Sequence, residues 1–567
     1  MVSPVAYFSM EIAIDSALPT YSGGLGVLAG DTIRAAADLG VPMTAVTLLH
    51  RKGYVRQSIS EQGEQLEAPE QWNPEQLLTR CQPIVDVPVQ GRVIRVQAWK
   101  RMEVGVNGHG VPILFLDTDV EENTPEDKRL TDSLYGGDSG LRLLQELVLG
   151  VGGSRMLRAL GYPVNTIHHM NEGHAAFLLL DKIPEDGSAD YEEKVRELRQ
   201  RTVFTTHTPV PAGHDVFTVD HIRFVLSAEH QQKVEDIFQD GYLNMTRLAL
   251  RYSGTVNAVS RKHQDVTRTM FPDAEVYGIT NGVHAVRWTS PPFARLFDKF
   301  VPGWRQRSEQ LRQVALVPVE DIQQAHKEAR EMFLKEVEHR LGMPFGGSGI
   351  LIGFARRATE YKRPLLILND IERLTRMAER FGPINLLFAG KAHPRDDWGK
   401  QLIRAIHEIG GRAGDLIRVA FLPNYETHLA AQMVAGVDIW LNTPRAPLEA
   451  SGTSGMKCAL NGVPSLSVAD GWWLEGGIQG VTGWVVKSPF NEGGVSPMDQ
   501  DRADAEALYH QLEEHVLPTF FNHPGAFGEV MRNAIAVNGS FFNTHRMVDQ
   551  YRVMAYERFL PTSNERE

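Results

Sequence analysis

Cysteine is nearly missing. The 567-residue chain has two, Cys81 and Cys458, far apart and without metal-ligand spacing. That argues against a disulfide framework and for a reducing, cytoplasmic setting. No run of about 18 apolar residues occurs, so no membrane span is expected. The opening MVSPVAYFSMEIAI has no basic stretch leading into a long apolar one, so no secretory signal is expected. Positive charge is not in excess: 58 Lys and Arg against 70 Asp and Glu leave a net charge of −12. Nucleic acid and anionic membranes are therefore poor candidates as main partners, although a local cation cluster can still hold an anionic substrate. There is no internal repeat and no low-complexity tract. His168, His169, His174, His207 and His214 are numerous, but no HExxH spacing occurs. They read as sugar contacts or satisfied core histidines, and no metal is expected.

What is present is ordinary for a globular chain, with 42% hydrophobic and 23% charged residues. Cores stop growing at roughly 250–300 residues, so the length calls for two domains. Short apolar runs alternate with amphipathic stretches. Strands are expected at 42–49, 112–117, 164–168, 202–206, 256–259 and 276–279, then at 350–354, 384–388, 417–422, 437–441 and 465–468. Helices are expected at 31–39, 141–160, 319–341 and 365–380. This alternation predicts parallel sheets with crossover helices. Several runs stop at polar groups: Asn171 and Glu172, His207, Asn281, Arg356 and Arg357, Lys391, Asn424 and Tyr425. In such sheets ligands bind at the carboxyl ends of strands. The segment 290–307, with its proline pair, reads as a connection between the halves.

Three blocks carry chemistry. YSGGLG (21–26) precedes a helical pattern. Its glycines allow close backbone approach and the helix start offers N–H groups to an anion, but a tight turn explains them equally well. RRATEYKR (356–363) places four cations in eight positions after a buried strand, which suits a phosphate grip or a solvated helix start. EASGTSGMK (449–457) puts small residues before a short helix that Gly462 can end. With a start near Thr453, Lys457 lies one turn on and can reach a ligand held at the helix start. A desolvated lysine among other cations is the kind that forms Schiff bases, and an N-capped surface helix is the plain alternative.

In order from about Ala6 to about Asp470, these blocks, together with GITNGVHAVRW (278–288) and FLPNY (421–425), resemble the glycogen and starch phosphorylases. That family is the pyridoxal-phosphate-dependent α-glucan phosphorylases. The resemblance implies an α/β GT-B fold of two Rossmann-like domains, at 1–290 and 291–535, with 536–567 packing back on the first. It implies pyridoxal 5′-phosphate held by Lys457 as an imine. Gly24, Thr453 and Ser454 would contact the cofactor phosphate, with Lys362 close by and Tyr425 near the ring. Arg357 would hold the substrate phosphate. Glu449, Ser451, Gly452, Asn281, His207 and Leu25 would face the sugar, and Arg357, Lys362, Lys457 and His207 would be the catalytic set.

The implied reaction is retaining phosphorolysis of an α-1,4-glucan by inorganic phosphate to glucose 1-phosphate, with the cofactor phosphate acting in proton transfer. Two phosphates in contact need cations and helix starts to offset their repulsion. A nucleotide-sugar glycosyltransferase of the same fold and an inactive glucan-binding protein are the alternatives. A homodimer is kept in view. Two departures stand out: Thr359 replaces a histidine of many members, and Ser454-Gly455 replaces a Gly-Asn pair. Only 22 residues precede Gly23. The expectation is therefore an enzyme of the short prokaryotic form, active without AMP or phosphorylation, that uses soluble maltodextrins at least as well as glycogen.

Overall fold

The computed structural model describes residues 3–185, 189–412, 414–490 and 495–558. The chain forms two compact units: Met1–Tyr54, Pro69–Thr280 and Met547–Glu567 make the first, and Val55–Ala68 with Asn281–Arg546 make the second. No described helix is long and apolar enough to cross a membrane.

The first unit is built on a sheet of nine strands among the described residues. Their order is Val276–Gly278, Thr255–Ala258, Thr202–Thr205, Ile167–Asn171, Val5–Phe8, Met43–Leu48, Gly110–Asp117, Arg92–Val104 and Thr79–Val89. The first seven run parallel; Arg92–Val104 and Thr79–Val89 add as an antiparallel pair. Successive strand residues point to opposite faces, and at the parallel strand Val5–Phe8 both faces are covered. Ala6 and Phe8 join one apolar cluster with the helices after Ser139, while Val5 and Tyr7 join another with the helix Gly24–Leu39 and the last segment from Met547. That last segment is pinned by polar groups. Tyr551 Oη accepts from Asn257 Nδ2 at 3.0 Å, and Tyr556 Oη lies 2.8 Å from His169 Nδ1.

The second unit has six parallel strands in the order Ile417–Leu422, Ile384–Ala389, Ile350–Ala355, Ile439–Asn442, Ser465–Val468 and Gly483–Val486. The chain starts at the centre, builds to one side, then crosses to the other. The point where the direction reverses therefore falls between Ile350–Ala355 and Ile439–Asn442. A two-stranded hairpin, Arg56–Ile59 with Gln65–Ala68, belongs to this unit although it comes early in the chain. Gln57 Nε2 donates to the Gly390 carbonyl at 2.9 Å and Gln65 Nε2 to the Ala392 carbonyl at 3.0 Å.

Several elements differ from the sequence expectation. The strand expected at 164–168 is Ile167–Asn171, because Thr166 N–H closes a turn on Pro163 and Val164 is exposed. The helix expected at 365–380 is split into a 3-10 turn, Pro364–Leu368, and a helix, Ile371–Phe381. Asp370 caps the latter by accepting from Arg373 N–H at 2.8 Å. The strand expected at 437–441 starts later, at Ile439, because Asp438 turns its carboxylate to His326 and to Leu351 N–H. The segment expected to connect the halves is the helix Pro291–Phe300 of the second unit, and the change of unit falls between Thr280 and Asn281.

Candidate active site

In an open parallel sheet the crevice for a ligand lies at the strand carboxyl ends where the order reverses. In the second unit that place is occupied by Arg356, directly after Ile350–Ala355, and by Asn442, the last residue of Ile439–Asn442. Arg356 Nη1 donates to Asn442 Oδ1 and to Glu449 Oε2. Lys362 Nζ donates to the same Glu449 oxygen at 2.7 Å and lies 4.3 Å from the Tyr361 ring centroid. Glu449 is 6% exposed. Burial alone would raise its carboxyl, but Arg356 and Lys362 outweigh burial and hold it at about 2. One carboxylate thus sits between two cations, leaving a local surplus of positive charge suited to an anion.

The segment 449–457 folds around this cluster. Gly452 has φ +74°, a backbone that favours glycine, and lies in contact range of Arg356 Nη2 and the Glu449 side chain. Thr453 opens the helix Ser454–Ala459, and its carbonyl accepts from Lys457 N–H at 3.3 Å, which fixes the lysine one turn into the helix. Lys457 is 8% exposed, with Nζ 4.0 Å from the Trp288 ring centroid. Trp288 is held in turn by Asn461, whose Nδ2 donates to its carbonyl at 2.8 Å and to that of Lys457 at 3.0 Å. Ser454 Oγ accepts from Trp440 Nε1 at 3.0 Å. The buried oxygens Ser451 Oγ and Asn281 Oδ1, with Thr359 Oγ1, have no hydrogen-bond partner among the described residues. An unsatisfied buried hydroxyl or amide oxygen is costly, so these atoms are natural acceptors or donors for a polar ligand. Arg357 is exposed beside half-buried Arg356, and Tyr425 is half-buried after Asn424, whose φ is +52°.

In the first unit the sheet reverses between Val5–Phe8 and Ile167–Asn171. Asn171 Nδ2 donates to Ser9 Oγ at 3.1 Å, and Asn171 Oδ1 lies 2.6 Å from His207 Nε2. Burial first, then the imidazoles of His263 and His169, depress the His207 ring to about 3, so it is neutral near pH 7. Glu172 (φ +82°) accepts from the backbone N–H of Gly173 and His207 and from Thr208 Oγ1. His169 and His174 are satisfied core histidines: His169 bridges Tyr556 and Thr205, and His174 Nε2 accepts from Met10 N–H at 3.0 Å. His214 Nδ1 is 2.8 Å from Thr246 Oγ1.

The glycine loop holds an anion of the protein itself. Glu11 Oε2 accepts from Ser22 N–H and Gly23 N–H, and Glu11 Oε1 accepts from Tyr135 Oη at 3.0 Å. Gly24, the first residue of the following helix, is exposed, with open space where a β-carbon would be; Leu25 is half-buried.

Of the residues singled out in the sequence, Lys362, Glu449 and Gly452 come together in the second unit around Arg356; Lys457 lies on Trp288 in the same unit; Gly24, Leu25 and His207 belong to the first unit. Asn442, Trp288, Asp470 and Glu11 were given no role in the sequence reading, and Arg356 entered it only as a strand-end residue and one of the four cations of 356–363. Arg356 and Asn442 had a usable signal, since both stand at strand ends.

A family model described as carbohydrate phosphorylase matches residues 214–479. Maltodextrin phosphorylase of Thermococcus litoralis is 40% identical, over 98% of this chain and 71% of that protein. Glycogen phosphorylase of Mycobacterium tuberculosis is 36% identical, over 96% of this chain and 70% of its own length. Glycogen phosphorylase of Aquifex aeolicus is 32% identical, over 98% and 86% respectively. With relatives of this identity aligned along nearly its whole length, the chain belongs to the carbohydrate phosphorylase family.

Proposed function

We propose that this protein is an α-1,4-glucan phosphorylase that moves terminal glucose from a maltodextrin or glycogen chain to inorganic phosphate, releasing glucose 1-phosphate with retention. The GT-B architecture is part of that reading. The observation that carries it is the cluster Arg356–Glu449–Lys362 at the reversal point of the second sheet, in the unit that also buries the Lys457 amine. The similarity to a maltodextrin phosphorylase and a glycogen phosphorylase supports the substrate class.

Pyridoxal 5′-phosphate fits the residues present. The Lys457 amine is buried on the face of Trp288, one turn into the helix Ser454–Ala459. Thr453 and Ser454 stand one turn before it, with Gly455 packed so closely on Trp472 and Ser465 Oγ that a β-carbon would not fit. Lys457 would hold the cofactor, with Thr453, Ser454, Gly24 and Lys362 toward its phosphate and Tyr425 toward its ring. When bound, the cofactor supplies a phosphate group that takes part in proton transfer with the substrate phosphate.

The chain's own residues do the rest. Arg356, Arg357 and Lys362 offset the charge of closely placed phosphates. Glu449, fixed as a carboxylate, accepts from sugar hydroxyls while keeping Arg356 and Lys362 in place. Ser451 Oγ, Asn281 Oδ1, Gly452, Leu25 and His207 complete the sugar-facing set; neutral His207 can donate or accept without adding charge. The test is the absorbance spectrum of the purified protein combined with phosphorolysis of maltoheptaose. A pyridoxal band and phosphate-dependent glucose 1-phosphate release are expected. Glucosyl transfer from a nucleotide sugar by a protein without pyridoxal would overturn the reading.

A further inference from the structure

Asp470 stands just beyond the strand Ser465–Val468 and is 1% exposed. Each of its oxygens receives one backbone donor: Oδ2 accepts from Glu449 N–H at 2.8 Å and Oδ1 from Gly471 N–H at 2.9 Å. The next residues return the contact, because Trp472 N–H donates to the Ser451 carbonyl at 2.9 Å. Gly471 has φ +54°, and a β-carbon there would run into the Ser451 carbonyl oxygen. Trp472 is itself braced by Trp473 and Phe542, with ring centroids 5.1 and 4.9 Å away. The segments 449–451 and 470–472 are therefore laced in both directions.

We propose that Asp470 is a positioning residue for sugar recognition, setting the Glu449–Ser451 segment so that the Glu449 carboxylate and Ser451 hydroxyl face the glucosyl unit. The inference rests on the reading that these two residues meet sugar hydroxyls. An asparagine has one acceptor oxygen and would turn its NH₂ against one of the two N–H donors. Only a carboxylate accepts from both.

That demand ties positioning to protonation. Burial first, then the neighbouring Glu449 charge, raise Asp470 to about 7, against the N–H donors of Glu449 and Gly471 and the Lys362 ammonium, which favour the ionised form. Glu449 and Lys362 are the charged groups that act on it, and Arg356 acts through Glu449. As pH falls through this value, one oxygen becomes an O–H donor and can no longer serve its N–H partner.

The experiment measures calorimetric Kd values of the cofactor-loaded enzyme for glucose, whose hydroxyls do not titrate in this range, and for inorganic phosphate, in wild type, Asp470→Asn and Asp470→Glu. Losing a hydrogen bond to a charged acceptor corresponds to about a ten- to hundredfold change. The expected result is a glucose Kd at least about tenfold weaker in Asp470→Asn above pH ~7, with phosphate Kd moved by less than about threefold, and partial recovery in Asp470→Glu. Wild-type glucose affinity should fall as pH drops through ~7, and this inflection should vanish in Asp470→Asn. Glucose and phosphate affinities falling together, or an inflection that survives in Asp470→Asn, overturns the proposal. If Asp470→Asn does not fold, a wild-type glucose Kd that is flat across ~7 overturns it alone. Maltoheptaose phosphorolysis by the wild type is run alongside: its absence defeats the functional reading and this inference with it, whereas normal phosphorolysis with an unaltered Asp470→Asn defeats only the inference.

Discussion

Replacing Glu449 should expose how much of the second unit's order depends on one buried carboxylate. Arg356 and Lys362 lower Glu449 from 4.5 to about 2 in spite of its burial. At 1.36 kcal/mol per pKa unit, that difference corresponds to about 3 kcal/mol favouring the ionised, paired form. Because the folded value lies below the unfolded one, this stabilisation is fully present above pH ~4.5 and is lost as pH falls toward ~2. Glu449→Gln keeps the shape but removes the charge, leaving Arg356 and Lys362 desolvated without a counterion. Removing one partner of a buried pair costs about 3–5 kcal/mol. Urea unfolding of wild type and variant should therefore differ by about 3 kcal/mol near pH 7, and the gap should close between pH ~4.5 and ~2. Adding Lys362→Met to Glu449→Gln should recover part of the loss, since one of the two stranded charges is gone. In function, Glu449→Gln should weaken glucose binding and leave phosphate binding equal or tighter, because a negative charge has been removed beside the phosphate cations. A variant as stable as wild type at pH ~7, or a gap that persists at pH ~2, would refute the argument that Arg356 and Lys362 hold this carboxylate ionised.

Other substitutions separate the remaining roles. Borohydride reduction followed by peptide mass analysis should place a pyridoxyl group on Lys457, and Lys457→Ala should give a protein without it; modification of another lysine would remove the assignment. Arg357→Ala should lower kcat/KM for phosphate at least about ten- to hundredfold with the fold intact, since the side chain is exposed, and unchanged phosphate kinetics would refute its role. Arg356→Ala should also lose stability, by about 1.5–3 kcal/mol, because it removes one of the two cationic donors to Glu449 and leaves Lys362 alone on it; equal thermal midpoints for the two arginine variants would contradict the geometry. Gly471→Ala should destabilise by more than about 1 kcal/mol and weaken glucose binding, as both the left-handed backbone and the Ser451 carbonyl oppose a β-carbon; a neutral substitution would show that the 449–451 and 470–472 segments are not tightly laced.

How far the site could be read from residues alone follows from where its information lies. Parallel strands buried on both faces appear as plain apolar runs, so Met43–Leu48 and Ile350–Ala355 were legible, and so were polar residues at strand ends such as Arg356. The helix carrying Lys457 was legible because small residues before an amphipathic turn have a local physical meaning. The strands Thr79–Val89 and Arg92–Val104 were not, because one face is exposed and charged and Pro83 and Pro88 interrupt the first. The hairpin 56–68 was invisible for a different reason: its place in the second unit is fixed by Gln57 and Gln65 amides bonded to backbone more than 300 residues away, which no local pattern encodes.

The adjacent pair Arg356-Arg357 shows the same limit at the site itself. Both are arginines after a buried strand, and only the direction of the backbone as it leaves Ala355 decides which one turns inward to Asn442 and Glu449. Asp470 looks in sequence like an ordinary turn residue before glycine. Its role arises because two N–H groups from different parts of the chain converge on one carboxylate. Chemistry concentrated in a short motif is therefore readable early. The groups that orient that motif are supplied by strand ends far apart in the chain, and they become assignable only when the reversal point of the sheet brings them together.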